Sequence, residues 1–146
     1  MDLRVLNNRL QSIDKNQMLR NAIEANEKAI LDINREQLRV GERADGLPIT
    51  PAYSPFYNAW KSQQSSYKAG SKKPDLYLTG SFQDKMYLDI EGNNIIVDSI
   101  DPKRDRLVHE LGYTDKIFGT QQKNLPRVQN LTSISYVREF KQKTGL

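Results

Sequence analysis

Met86-Tyr87-Leu88-Asp89-Ile90, then Glu91-Gly92-Asn93-Asn94, then Ile95-Ile96-Val97-Asp98-Ser99: the reading of this stretch decides the fold class. Two runs rich in β-formers flank a connection of glycine and asparagine, residues that tolerate positive φ. The pattern predicts an antiparallel hairpin and is the clearest strand signal in the chain. Helical patterns lie on both sides of it, with no strand–helix alternation. The expectation is therefore an α+β fold with a small antiparallel sheet, not βαβ units.

Upstream, Asp75-Leu76-Tyr77-Leu78 leads into Thr79-Gly80-Ser81-Phe82, where Thr79 is placed to cap a short helix running to about Lys85. The polar stretch 65–74 carries Lys68, Lys72 and Lys73 and reads as a surface loop. Ser54-Pro55 is a helix start, a hydroxyl cap with proline at the first helical position. Phe56 and Trp60 share a face of that helix and are expected in the core. Residues 41–53, punctuated by Gly41, Gly46, Pro48 and Pro51, read as an extended loop.

The N-terminal third is helical by period. Leu3, Leu6, Leu10 and Ile13 form one stripe, the phase shifts at Asp14-Lys15-Asn16, and Leu19, Ile23, Ile30, Ile33 and Leu38 continue it. With no glycine or proline before Gly41, the expectation is a long helix to about Val40, in one piece or two, ended by Gly41. Its stripe packs on its own domain or forms a coil with another chain.

Downstream, Asp101-Pro102 predicts a helix with Leu107, Val108 and Leu111, closed by Gly112. A further helical turn runs over residues 114–119, and Leu125-Pro126-Arg127 is expected to be extended because proline biases its predecessor away from the α region. A C-terminal helix from about Thr132 to Thr144 follows, with Ile134, Val137 and Phe140 or Lys141 on related faces. The whole is expected as one α+β domain over 1–146, with a helical arm at 1–40 and the hairpin and C-terminal helices in 75–146.

Composition excludes several kinds of chemistry. The 146 residues contain no cysteine and one histidine, His109. Disulfide scaffolds, thiol nucleophiles and Cys-based zinc or iron–sulfur sites are ruled out, as is a multi-histidine metal centre within one protomer. No apolar run approaches the roughly 20 residues that span a bilayer. The N-terminus lacks the layout of a signal peptide, so a cytoplasm-like compartment is expected. A formal charge of +4 is too mild to announce a nucleic-acid binder. The apolar fraction of 37% is lean, so a partner or further copies of the chain are expected to complete some of its surface.

Candidate catalytic groups are few. His109 is a possible general base, but Glu110 beside it points about 100° away on a helix and cannot orient it. Asp98, Asp101 and Asp105 offer oxygen ligands at a turn. The interleaved Lys103, Arg104 and Arg106 favour ion pairs and capping over a Mg²⁺ site. Phosphate-binding and nucleophile-elbow motifs are absent, and no enzyme, metal or cofactor is expected.

The order Leu76-Tyr77-Leu78-Thr79-Gly80-Ser81-Phe82, hairpin, Leu107 to Gly112, Ile117-Phe118-Gly119-Thr120 and Leu125-Pro126-Arg127 resembles the tailed-phage tail-completion or virion-morphogenesis proteins, the Mu-type and related head–tail joining group. The resemblance covers roughly residues 75–140. It departs from the usual pattern at Leu125-Pro126-Arg127-Val128, where Arg-Pro-Phe is common, and at Ile117, where an acidic residue is usual. It implies a non-catalytic subunit, made in the host cytoplasm, that forms a ring at the virion neck. Its implied partners are copies of itself, portal or adaptor proteins, tail-tube or terminator proteins, and packaged DNA in the lumen, with no membrane. For that role Leu3, Leu6, Leu10, Ile117, Phe118, Val137 and Phe140 are the candidate interface residues. Lys68, Lys72, Lys73 and Arg127 are the candidate DNA-facing cations. The alternative is a small nucleic-acid-binding or regulatory protein that uses the basic loop Lys68–Lys73 and the C-terminal helix.

Overall fold

The hairpin forms as its sequence predicts. Strands β1 (Met86–Glu91) and β2 (Asn94–Ser99) pair antiparallel, Met86 opposite Ser99 and Glu91 opposite Asn94. The turn is therefore the two residues Gly92-Asn93, with Gly92 at φ 59° in the first turn position, where a II′-type connection needs positive φ. Side chains alternate between faces. One face carries the pairs Met86–Ser99, Leu88–Val97 and Ile90–Ile95; the other carries Tyr87–Asp98, Asp89–Ile96 and Glu91–Asn94.

The computed structural model describes residues 2–64 and 74–146. Two compact units are present: Met1–Glu27 with Leu125–Leu146, and Lys28–Asn124.

The long N-terminal helix is instead three helices, α1 (Leu3–Gln11), α2 (Lys15–Glu24) and α3 (Glu27–Arg39). Polar side chains that bond the backbone cause both breaks. Ser12 Oγ donates to the Arg9 carbonyl, and the Asp14 carboxylate accepts the N–H groups of Asn16 and Gln17 at 3.0 Å as a new N-cap. At the second break Asn26 Nδ2 donates to the Ala22 carbonyl at 2.7 Å. The end of α3 is as expected: Gly41 stands at φ 76°, its N–H bonds Leu38 O and the N–H of Glu42 bonds Gln37 O, a Schellman cap.

In the first unit α1 and α2 lie against α6 (Leu125–Thr144). The last helix starts at Leu125, not Thr132. The expected extended Leu125-Pro126-Arg127 is its first turn, where a proline forfeits no intrahelical bond. Polar contacts stitch this unit: Arg9 Nη1 to the Thr144 carbonyl at 3.0 Å, Asn21 Nδ2 to Glu139 at 3.0 Å, and Asn26 Nδ2 to Ser135 Oγ at 2.8 Å. Met18, Ala22, Ile23 and Val128 are buried, whereas α1 buries no residue.

The second unit has a true core. Leu31, Leu38, Ile49, Leu76, Phe82, Met86, Val108, Tyr113 and Ile117 form one buried cluster, with Leu88 and Val97 of the hairpin packed on it. Helices α4 (Pro55–Ser62) and α5 (Ser81–Asp84) belong here, α4 capped by Ser54 as expected. Gly80, not Thr79, occupies the cap position of α5. The helix predicted after Pro102 is a π-helical turn, Arg106–Glu110.

Two buried amides of α3 clamp the Ile117–Gln121 segment. Asn34 Nδ2 donates to Ile117 O at 3.1 Å while its Oδ1 accepts the Gly119 N–H at 2.9 Å. Gln37 likewise donates to Gly119 O at 2.8 Å and accepts the Gln121 N–H at 2.9 Å.

Candidate functional site

The second unit carries a mostly apolar groove of about 560 Å³. Its lining comes from the loop 51–54, from Tyr57 and Trp60 of α4, from the segment 76–80 with Phe82, and from Lys103 to Tyr113. Tyr53 and Tyr57 meet edge-on at 4.9 Å, and Tyr57 and Trp60 lie 5.6 Å apart. Aromatic surface at these separations is a common lining for binding sites. Lys103 and Arg106 bring two exposed cations to it.

Beneath the aromatic wall lies a buried polar cluster. Lys61 is only 2% exposed, and its ammonium bonds the Asp75 carboxylate, donates to Tyr53 Oη at 3.2 Å and stands 4.7 Å from the Tyr53 ring centre. Tyr53 Oη also accepts the Leu76 N–H at 3.1 Å and lies 3.3 Å from Asp75 Oδ1. Asp75 further accepts the Tyr77 N–H at 3.0 Å. Burial, then the Asp75 charge, pushes the Tyr53 hydroxyl far above the usual phenol range, so it remains a donor. Burial raises Tyr57 and Tyr113 too. Every member of the cluster is satisfied, which makes it a rigid floor.

That floor holds backbone in costly conformations. Leu76 sits at φ 54°, in the left-handed region that costs a non-glycine residue about 1–3 kcal/mol. Its burial and the bond to Tyr53 Oη keep it there. Gly80, at φ 89°, lies so close to Tyr77 that an added Cβ would stand 3.0–3.2 Å from the ring. The glycines in Thr-Gly-Ser-Phe and in Ile-Phe-Gly-Thr thus shape backbone: Gly80 at the groove wall and Gly119 under the Asn34–Gln37 clamp.

The candidate interface residues divide between the units. Leu3 and Leu10 are exposed on α1, Leu6 half-buried; Val137 is exposed on α6 and Phe140 half-buried. Ile117 is at 0% exposure inside the core and has no face to offer a partner, because the amide clamp of α3 draws its segment inward. Phe118 is half-buried against the same core, 5.8 Å from Phe82. Arg127 is exposed in the first turn of α6. Lys68, Lys72 and Lys73 lie outside the described residues.

Phe56 and Trp60, expected in the core, are 84% and 41% exposed. Helix α4 turns Lys61 inward instead, and the stripe that lines the groove is Tyr53–Tyr57–Trp60. Sequence reasoning passed over this stripe, although its i, i+4, i+7 spacing was there to be read. It also passed over the Lys61–Asp75 pair, whose separation of 14 residues leaves no local signature.

The acidic group forms ion pairs, as the interleaved cations indicated. Arg104 bonds Asp98 through two nitrogens at 2.8 and 3.0 Å and reaches Asp105 and Asp115 at 3.1 Å each. Asp101 caps Lys103 N–H at 2.9 Å, and that bond is the main reason its carboxyl is held below the usual range. His109 is exposed, with Nε2 3.5 Å from Arg104. Among the described residues no three His, Asp or Glu side chains gather as metal ligands, and no helix is long and apolar enough to cross a membrane. No protein-family model, curated protein or solved structure matches the chain.

Proposed function

We propose that this protein is a structural subunit of a tailed-phage virion, a non-catalytic ring-forming component of the head–tail junction. The observation that carries the reading is the uncovered apolar stripe of α1. Leu3 is 79% exposed, Leu10 two turns on is exposed on the same face, Leu6 between them is half-buried, and no residue of the helix is buried. Ile134 and Val137 of α6 add exposed apolar surface to the same unit. Apolar faces of this kind on a lean chain suit subunits that complete one another's surfaces. The order of motifs from Leu76 to Arg127 supports the head–tail assignment, and the neighbours it calls for are portal or adaptor and tail-tube or terminator proteins.

Electron microscopy of particles assembled without the protein tests the role. Full heads beside unattached tails, or heads that leak DNA, are the expected result. Normally joined particles overturn it. Sedimentation of the purified chain tests self-association separately, with a concentration-dependent oligomer expected.

A further inference from the structure

We propose that the far side of α6 docks an acidic amphipathic helix of a different protein, one of the neighbours that the head–tail reading calls for. The inference rests on that reading and names the chemistry of the partner. Helix α2 meets the side of α6 that carries Ser135 and Glu139, through Asn26 and Asn21. At about 100° per residue, Val137 lies well away from both. It belongs to the seam Asn130–Ile134–Val137–Lys141, whose spacing of four, three and four is that of a heptad. Ile134 is 52% exposed and Val137 49%, and Asn130, Arg138 and Lys141 are exposed with them. A helix laid on this side meets an apolar pair at its centre and cations at its margin.

The cations select the occupant. Among the described residues neither Arg138 nor Lys141 pairs with a carboxylate, whereas Lys143 pairs with Glu139 at 3.5 Å. Lys141 also suits the negative end of the helix dipole, but Arg138 stands before the last turn, where that field has faded. Like charges three residues apart on a helix repel, and an acid laid between them relieves both. A second copy of the chain has no helix to match. Among its described helices of eight residues or more, α1 and α4 carry no acid and α2 and α6 carry one each. Helix α3 carries three, but its apolar residues are buried. Duplex DNA is the poorer fit, because its phosphates would meet the cations and leave Ile134 and Val137 nothing apolar to touch. With an acidic helix, opposite charge at the flanks sets partner and register while burial of the apolar pair drives the contact. The α1 stripe is then left for copies of this chain.

Because the full-length chain has no cysteine, Ser133→Cys at the rim of this face takes a single dye. The probe is a synthetic helix of about three heptads with leucine at a and d and glutamate at e and g, kept from pairing with itself by like charge. A twin with lysine in place of glutamate, and a duplex DNA of matching length, are the comparisons. The acidic helix should bind saturably by dye anisotropy, about tenfold or more tighter than its lysine twin. Ile134→Ser with Val137→Ser should weaken it by about tenfold or more. Arg138→Glu with Lys141→Glu should reverse the preference between the twins. All four positions are exposed, and unchanged circular dichroism and melting certify the fold. No saturable binding of the acidic helix, or equal binding of both twins, overturns the proposal. So does tighter binding of DNA that is lost on charge reversal and kept in the serine variant, which makes this a nucleic-acid face. A Ser133→Cys thiol that labels only after unfolding overturns it too, since the face is then covered by its own chain. None of these results touches self-association or particle joining, so the ring reading and this contact can fail separately.

Discussion

Helices α1 and α3 carry the same kind of apolar stripe and meet opposite fates. Ile30, Leu31, Ile33 and Leu38 of α3 are buried, and its amides Asn34 and Gln37 bond the Ile117–Gln121 segment. Leu3, Leu6 and Leu10 of α1 follow the same period, yet no residue of that helix is buried. Periodicity therefore says that a face is apolar and not what covers it. What separates the two helices is the extent of their polar ties: the Asn34 and Gln37 amides of α3 make four bonds to the backbone of the Ile117–Gln121 segment, while Arg9 of α1 makes one, to the Thr144 carbonyl of α6.

The comparison breaks most easily at Ile117. In the core it should cost about 3 kcal/mol as Ile117→Ala, from lost burial and the cavity left behind. The expected outcome is a clear fall in the urea midpoint. A neutral result would place Ile117 on an interface and undo the contrast between the units.

Gly80→Ala comes next. The left-handed φ alone costs a side chain about 1–2 kcal/mol, and the Tyr77 ring at 3.0–3.2 Å from the new Cβ adds to it. A Tyr77→Ala background should remove the steric part and leave the backbone part. Thermal melting of the two single variants and the double variant separates them. An equal cost in both backgrounds would show that the ring gives way freely.

These two residues also mark how far the sequence could be read. The hairpin was legible because turn chemistry and strand pattern are local, and so was the stop at Gly41. The breaks at Asp14 and Asn26 were not, since each depends on a side chain bonding the backbone where a continuing helix was equally compatible with the period. The Tyr53–Tyr57–Trp60 stripe starts ahead of α4, in the stretch 41–53 that reads as a loop, so its helical spacing crosses a predicted boundary and Phe56–Trp60 is the pair that the helix itself offers. The groove floor depends on Lys61 finding Asp75. That is a tertiary event, and a buried lysine is the last residue that composition would place there. Ile117 was a candidate partner contact, and the clamp that buries it leaves no local signature because Asn34 stands 83 residues upstream.

Tyr53 sharpens the comparison through pH. Its hydroxyl is held protonated in the folded chain by burial and the Asp75 charge, whereas in the unfolded chain it ionises near the ordinary value of about 10. A folded-state value raised in this way contributes stability that is fully present below about pH 10 and lost as the pH rises further. Tyr57 and Tyr113 push in the same direction, with Lys61 and Asp75 the charged neighbours of the hydroxyl. Tyr53→Phe should cost about 1–2 kcal/mol at neutral pH, because the Leu76 N–H and Lys61 each lose a partner. It should also flatten the decline of melting temperature between pH 9 and 12. An unchanged alkaline slope would mean that the floor is wet enough to ionise.

The smallest expected effect on stability is the most informative about α1. Leu3→Ser with Leu10→Ser should shift the monomer's unfolding free energy by no more than about 0.5 kcal/mol, as exposed substitutions do. Two exposed leucines contribute little to a fold that leaves them in water, but burial between subunits would make each worth about 1.5–3 kcal/mol to association. The expected outcome is thus a pair of results: unfolding unchanged at a dilution where the chain is monomeric, and self-association measurably weakened by sedimentation. A drop of 2 kcal/mol or more in the monomer, on the scale of core truncations, would mean that α1 closes over its own chain in solution. The apolar stripe would then be a covered face like that of α3, and self-association would have to be sought elsewhere on the molecule.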